Sequence, residues 1–183
     1  MSQYYYTVSS LPMLLFESES TIGIERFIET CKETLTGRDF ELLNRTQFTI
    51  SEHIVAKNEV LNNWYAWETA LRNELVKLRA QKIGVEAAAY HVPGPDVLGA
   101  AEIAREAFNQ ESPLLGENVL NRARWKVLDD LEVGHYFDIE KLIVYYLRLQ
   151  LLQRKSNFRK EIGETKYTKI YEGISRTIQD KIR

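Results

Sequence analysis

The sequence predicts an all-α protein, a helical bundle of five to seven helices in one or two lobes, with a short extended segment at the N-terminus. Three observations predict it. Apolar residues recur at steps of three or four through most of the chain, the spacing that lines one face of an α-helix. Strong helix formers fill the positions between them, best of all in residues 62–84, NNWYAWETALRNELVKLRAQKIG. The one run rich in β-preferring residues, YYYTV at 4–8, has no second strand with which to form a sheet.

That run is read as the extended segment, its aromatics against the core, ending before Ser9-Ser10-Leu11-Pro12. Ser20 or Thr21 is placed to cap a helix to about Leu35, with Ile24, Phe27, Ile28 and Cys31 facing inward. Thr36 is placed to cap a short helix through Asn44, with Asp39 near its positive end. Residues 46–53 are polar and mixed, a loop or a short extended piece.

The long helix follows, starting as early as Ala56, with Trp64, Trp67, Leu71, Leu75 and Leu78 on one face and Gly84 as its stop. Residues 85–96 contain Pro93-Gly94-Pro95, the clearest break, so a lobe boundary in the single domain 1–183 would fall near 85–95. Helices are expected at 96–108, with Leu98, Ala101 and Ala104 admitting a close neighbour, and at 116–132, with Leu120, Ala123, Val127 and Leu131 inward. The acidic end of the latter, Asp129, Asp130 and Glu132, opposes the helix dipole and implies a Lys or Arg nearby. Residues 138–160 are apolar around nearly the whole circumference, the mark of a central helix. A polar last helix, 166–183, carries Tyr167, Ile170, Tyr171, Ile174 and Ile178 as its stripe.

Among 183 residues, 44% are hydrophobic and 27% charged, a globular balance long enough for a substantial core. A lone Cys31 forms no internal disulfide and is read as a small apolar residue. The first twenty residues lack the basic region of a signal peptide, and no run approaches a membrane span. A cytoplasmic protein is expected. The net charge of −2 conceals a segregation: residues 85–140 carry 4 basic and 11 acidic side chains, and residues 141–183 carry 11 basic and 4 acidic. A molecular dipole and internal pairing are both compatible with it.

No motif announces a reaction, and no catalytic or cofactor-binding residue is assigned. Phosphate-binding loops, zinc spacings and nucleophile elbows are missing from the sequence. The run Asp129, Asp130, Glu132, His135, Asp138 offers metal ligands without an EF-hand's spacing and reads by default as a solvated helix end; no metal is assigned. Two groups remain as candidate partner-binding residues. Glu68 and Arg72, at i and i+4 with Arg79 on the same flank, are a surface ion pair or, beside Trp64 and Trp67, part of a protein contact. Lys141, Arg148 and Lys155, spaced by seven and continued by Arg159, form a basic line. It is a solvated face, the complement of an acidic surface on this chain or a partner, or a phosphate-binding strip. The pI of about 6.0 and the lack of a recognised module weigh against nucleic acid.

WYAWETALRNELVKLRAQKIG is similar to a helix of the stalk-to-ring coupling protein of V-type and A-type rotary ATPases, the component designated C or d. The likeness runs through Trp64, Glu68, Leu71-Arg72-Asn73 and Leu78-Arg79-Ala80. DIEKLIVYYLRLQLLQRKSNFR resembles a later helix of that coupler around Tyr145 and Tyr146, with Gln150 and Gln153 where the family tends to carry glutamates. The opening YYYTVSSLPML resembles the start of an uncharacterised bacterial family whose genes lie among those of V-type ATPases. Together these cover about a third of the chain, and the coupler itself is considerably longer. The resemblance implies an all-helical, non-enzymatic structural or accessory subunit joining the central stalk to the membrane ring. Its partners would be other ATPase subunits, and it would reach the inner membrane only through them. The alternative is a helical nucleic-acid-binding or regulatory protein acting through the basic C-terminal third.

Overall fold

Residues 139–156 bury side chains on every side, and the other helices close around them. In the computed structural model, which describes residues 3–18, 20–49, 58–158 and 170–171, this stretch is helix α7 (Ile139–Ser156). Asp138 caps it by accepting the Lys141 backbone N–H at 2.9 Å. The preceding elements are α1 (Gln3–Ser10), α2 (Ile24–Thr34), α3 (Gly37–Asn44), α4 (Glu59–Ile83), α5 (Ala100–Phe108) and α6 (Pro113–Glu132). The chain is all-α, with seven α-helices and no strand among the described residues. Helix α7 touches α1, α2, α3, α4 and α6, and one apolar cluster takes residues from Leu14 through to Leu152.

Helix α4 is the long spine. Its 25 residues run about 37 Å at about 1.5 Å each. It starts at Glu59, between Ala56 and the first residue of the apolar period, because Asn58 accepts the Leu61 N–H at 3.0 Å and fixes the first turn. It stops where expected: Gly84 adopts φ 71°, a left-handed cap that costs glycine little. Trp64, Trp67, Leu71 and Leu75 are buried. Trp64 stacks on Trp67 at 6.0 Å and donates its indole N–H to the Phe48 carbonyl.

The N-terminal segment is helical, not extended. Three consecutive tyrosines on a helix are about 100° apart and cannot all face the core. Tyr4 packs against it, while Tyr5 and Tyr6 are exposed. The short helix is held by Thr7, whose hydroxyl bonds that of Thr34 on α2 at 2.7 Å. Helix α2 is capped by Gly23 rather than Ser20 or Thr21, and Phe27 and Cys31 are its buried pair. Thr36 does cap α3, accepting the Asp39 N–H. Residues 46–49 are irregular, as read, and are tied to α7 by Gln150. Its amide oxygen accepts the Phe48 N–H at 2.8 Å, and its NH2 donates to the Thr46 carbonyl at 3.2 Å. A glutamate could accept the first bond but not donate the second.

The Pro-Gly-Pro stretch is clamped along α4. Asn73 donates to the Val92 carbonyl at 2.7 Å and accepts the Val92 N–H at 3.0 Å. Helix α5 starts at Ala100 rather than 96. Its close face is Ala100, Ala104 and Ala107, and Leu98 is wholly exposed. On α6 the expected inward stripe is rotated: Leu120, Asn121, Arg124 and Leu128 are buried, whereas Ala123, Val127 and Leu131 are partly covered. The expected last helix at 166–183 lies outside the described residues except for Ile170 and Tyr171, which are helical.

Gly116 lets α5 and α6 meet. A Cβ there would stand 2.6 Å from the Ala107 carbonyl oxygen. In an exposed helix Gly→Ala stabilises by about 1 kcal/mol; here Gly116→Ala is expected to destabilise by about 1–3 kcal/mol through overpacking. Urea denaturation of the two proteins decides the sign.

Candidate functional site

The charged residues singled out in the sequence divide between the interior and the surface. Glu68 is 1% exposed and is not part of a surface pair. Its carboxylate accepts from Arg124 Nε at 3.0 Å and Nη2 at 3.1 Å, a two-point fork, and from Arg72 Nε at 2.8 Å. The remaining Arg124 nitrogen donates to Glu117 at 3.2 Å and to Asn121 at 3.1 Å, and Arg154 from α7 donates to Glu117 at 2.8 Å. One network thus joins α4, α6 and α7. Burial pulls the Arg124 guanidinium down, but Glu68 and Glu117 outweigh it and hold it above its ordinary value. Trp64 and Trp67 are core residues, since wide aromatic faces gain most from leaving water. Of that candidate contact only Arg72, half-buried, and Arg79, exposed, reach the surface.

The basic line also turns inward. Lys141 donates to Glu132 at 2.7 Å, and Arg148 holds Glu132 at 2.7 Å and Asp129 at 2.5 Å. These are the cations that the acidic end of α6 requires. Arg148 is buried over the Trp125 ring, 5.3 Å from its centroid, and its Nε has no hydrogen-bond partner. Lys155 donates to the Phe16 carbonyl at 2.6 Å and lies over that ring. Arg159 lies outside the described residues. Asp130 takes no part in these pairs and stands on the far side of α6.

Three other clusters bear on chemistry. His135, Asp138 and Glu140 bring one ligand atom each within 4.8 Å. Each carboxylate is already used: Asp138 caps α7 and pairs with His135 at 2.8 Å, and Glu140 accepts from Asn58 at 3.0 Å. Cys31 is fully buried, and burial pushes its thiol up to about 12, far from a reactive thiolate. Around the α6–α7 turn stands an exposed aromatic corner. Tyr5 meets Phe137 at 4.8 Å between ring centroids, and Tyr6 and Tyr136 are each 71% exposed.

An apolar groove of about 820 Å³ opens between α4, the start of α5 and α6. Trp67, Ile103, Val119, Ala123, Val127 and Leu131 line it, so three residues of the stripe expected to face the core, Ala123, Val127 and Leu131, stand in one wall. Arg122 and Lys126 stand on its rim with Glu106 and Asp130. Sequence reasoning reaches neither the aromatic corner nor the groove. The corner unites residues more than a hundred positions apart, and the groove depends on where α5 sits.

Two expectations follow from the networks. Glu68→Gln takes from Arg124 the anion of its two-point fork and leaves Glu117, at 3.2 Å, as the remaining counter-charge, and should cost about 3 kcal/mol in urea denaturation. A loss below about 1 kcal/mol, as for an exposed pair, would show that the fork is not a constraint. Burial pushes Glu132 up, but hydrogen bonds from Arg148 and Lys141 bring it below its ordinary 4.5. The stability it contributes is present above about pH 4.5 and is lost as pH falls through the lowered folded value. The acid limb of a stability–pH profile should therefore be shallower for Glu132→Gln than for the unaltered chain.

Residues 101–178 match the model of a family described as "Protein of unknown function (DUF2764)", a span that takes in nearly all of α5 and the whole of α6 and α7. No curated protein and no solved structure matches the chain.

Proposed function

We propose that this chain is a non-enzymatic helical docking protein, a structural or accessory subunit of a bacterial V/A-type rotary ATPase in the manner of the stalk-to-ring coupler. The observation that carries docking is the aromatic corner. Tyrosine and phenylalanine are enriched at protein contacts because they bring large rigid area, to which tyrosine adds a polar hydroxyl. Here Tyr5 of α1 meets Phe137 of the α6–α7 turn, and their chain neighbours Tyr6 and Tyr136 are exposed as well, the four rings being 45–71% exposed. The choice of partner is supported by the resemblance of α4 and α7 to helices of the coupler. Of the residues that carry it in α4, Trp64, Glu68 and Leu71 are buried, and Glu68 ties the spine to α6 through Arg124. No helix among the described residues is long and apolar enough to cross a membrane, so on this reading the membrane ring is met through protein contacts.

Nucleic-acid binding is the second reading. It would have to rest on the basic residues of 159–183, because Lys141 and Arg148 are engaged with Glu132 and Lys155 with Phe16 and Glu17. A salt-dependent gel shift at low ionic strength would favour it over docking.

Affinity purification from the native host at native abundance and low salt is expected to recover stalk or ring subunits. Tyr6→Glu with Tyr136→Glu should leave the thermal midpoint nearly unchanged, since both rings are exposed, and should abolish that recovery. Purification without any ATPase component would overturn the partner; unchanged recovery by the double variant would overturn the corner.

A further inference from the structure

We infer that the aromatic corner takes an arginine-bearing segment of a protein partner, the guanidinium lying on its rings. The inference rests on the docking reading above and adds the chemistry of what docks. Its first support is charge. Helix α1 carries no charged side chain, whereas residues 129–140, DDLEVGHYFDIE, carry five acidic ones and no lysine or arginine. Asp130 stands on the far side of α6, which leaves Asp129, Glu132, Asp138 and Glu140 at the end where Phe137 meets Tyr5. Against these four carboxylates the chain sets two cations, Lys141 and Arg148. Arg148 lies beneath its partner: its side chain is 10% exposed and that of Asp129 is 53% exposed. The negative charge therefore faces outward, and an aromatic surface in a negative field selects a cation.

The rings decide which cation. A ring face is electron-rich and attracts a positive group laid over it. Elsewhere the chain uses this contact itself, with Arg148 over Trp125, Lys155 over Phe16 and Arg154 over Phe158. Among the described residues no cation of this chain lies over Tyr5, Tyr6, Tyr136 or Phe137. Arginine suits these rings better than lysine. Its planar guanidinium stacks flat on an aromatic face and still directs N–H donors sideways to a carboxylate, whereas a compact ammonium holds its water. The platform is braced before any partner arrives. Gly134 takes φ 88°, and the His135 backbone N–H donates to the Glu132 carbonyl at 3.0 Å. Asp138 pairs with the His135 ring at 2.8 Å and accepts the Lys141 backbone N–H at 2.9 Å. A turn fixed in this way loses little freedom on binding.

The test titrates the full chain, carrying isotope-labelled tyrosine rings, with N-acetylated hexaarginine, hexalysine and hexaglutamate amides. NMR follows the Tyr5 and Tyr136 rings, assigned with Tyr5→Phe and Tyr136→Phe. Hexaarginine is expected to shift both rings and to bind about threefold or more tighter than hexalysine, with hexaglutamate inert. Its affinity should fall as salt rises from about 0.01 M to about 0.1 M, over which the Debye length shrinks from about 30 to about 10 Å. Tyr6→Glu with Tyr136→Glu, read at Tyr5, separates rings from charge. A site held by charge alone would then bind hexaarginine more tightly; stacking predicts binding weaker by about threefold or more, with the thermal midpoint unchanged. Equal affinity for hexaarginine and hexalysine, or tighter binding by the double variant, would overturn the proposal. So would ring shifts that grow with protein concentration in the absence of peptide, which would make a second copy the occupant. No ATPase component enters the titration. A corner that loses its purified partner on ring substitution yet ignores hexaarginine would overturn this inference and leave docking in place.

Discussion

A carboxylate and a guanidinium, both almost wholly out of water, join α4 to α6. Removing either charge from water costs several kcal/mol, and the fork between Glu68 and Arg124 offsets that only while both oxygens and both nitrogens are matched. Apolar packing alone tolerates small slides between helices; a two-point hydrogen bond does not. Arg72, Asn121 and Glu117 close the remaining valences, and Arg154 carries the constraint to α7. The register of three helices is therefore set by five charged side chains and one amide, and the aromatic and leucine packing fills in around them.

The same logic accounts for the part of the charge segregation carried by Lys141, Arg148 and Arg154. The acidic end of α6 lies beside the basic start of α7, so Asp129 and Glu132 meet Arg148 and Lys141 instead of solvent. Two antiparallel helices with opposite excess charge neutralise each other over short distances, where a Debye length of about 10 Å screens little. Among the described residues the outer surface carries the aromatic corner and the groove beside α6.

Much of this is legible from periodicity and punctuation. The spine, its glycine stop, the Thr36 cap and the central helix follow from local spacing and hydrogen-bonding chemistry that act within a few residues. The failures are equally physical. Tyr4–Tyr6 favour strands in isolation, yet Thr7 meeting Thr34 and Tyr4 meeting the core make a helix the better fit. An arginine is ordinarily solvated, so local pattern gives no reason to turn Arg124 inward; the partner that does so is 56 positions away. Once Arg124 faces inward, α6 is rotated, and Ala123 and Val127 become a groove wall. The basic line is visible in the sequence but its direction is not, because heptad spacing places residues on one face without saying what covers that face.

Long-range ties to α7 also govern how the chain is made. Pro12 waits for Tyr145, Phe16 for Lys155, and Phe48 for Gln150, separations of 133, 139 and 102 positions. A ribosome adding roughly 5–20 residues each second exposes the N-terminal helices for several seconds before α7 emerges to cover them. The first half of the polypeptide is thus a nascent chain with open apolar faces, a natural client for holding chaperones. Premature termination before residue 139 would leave it without the element that closes its core.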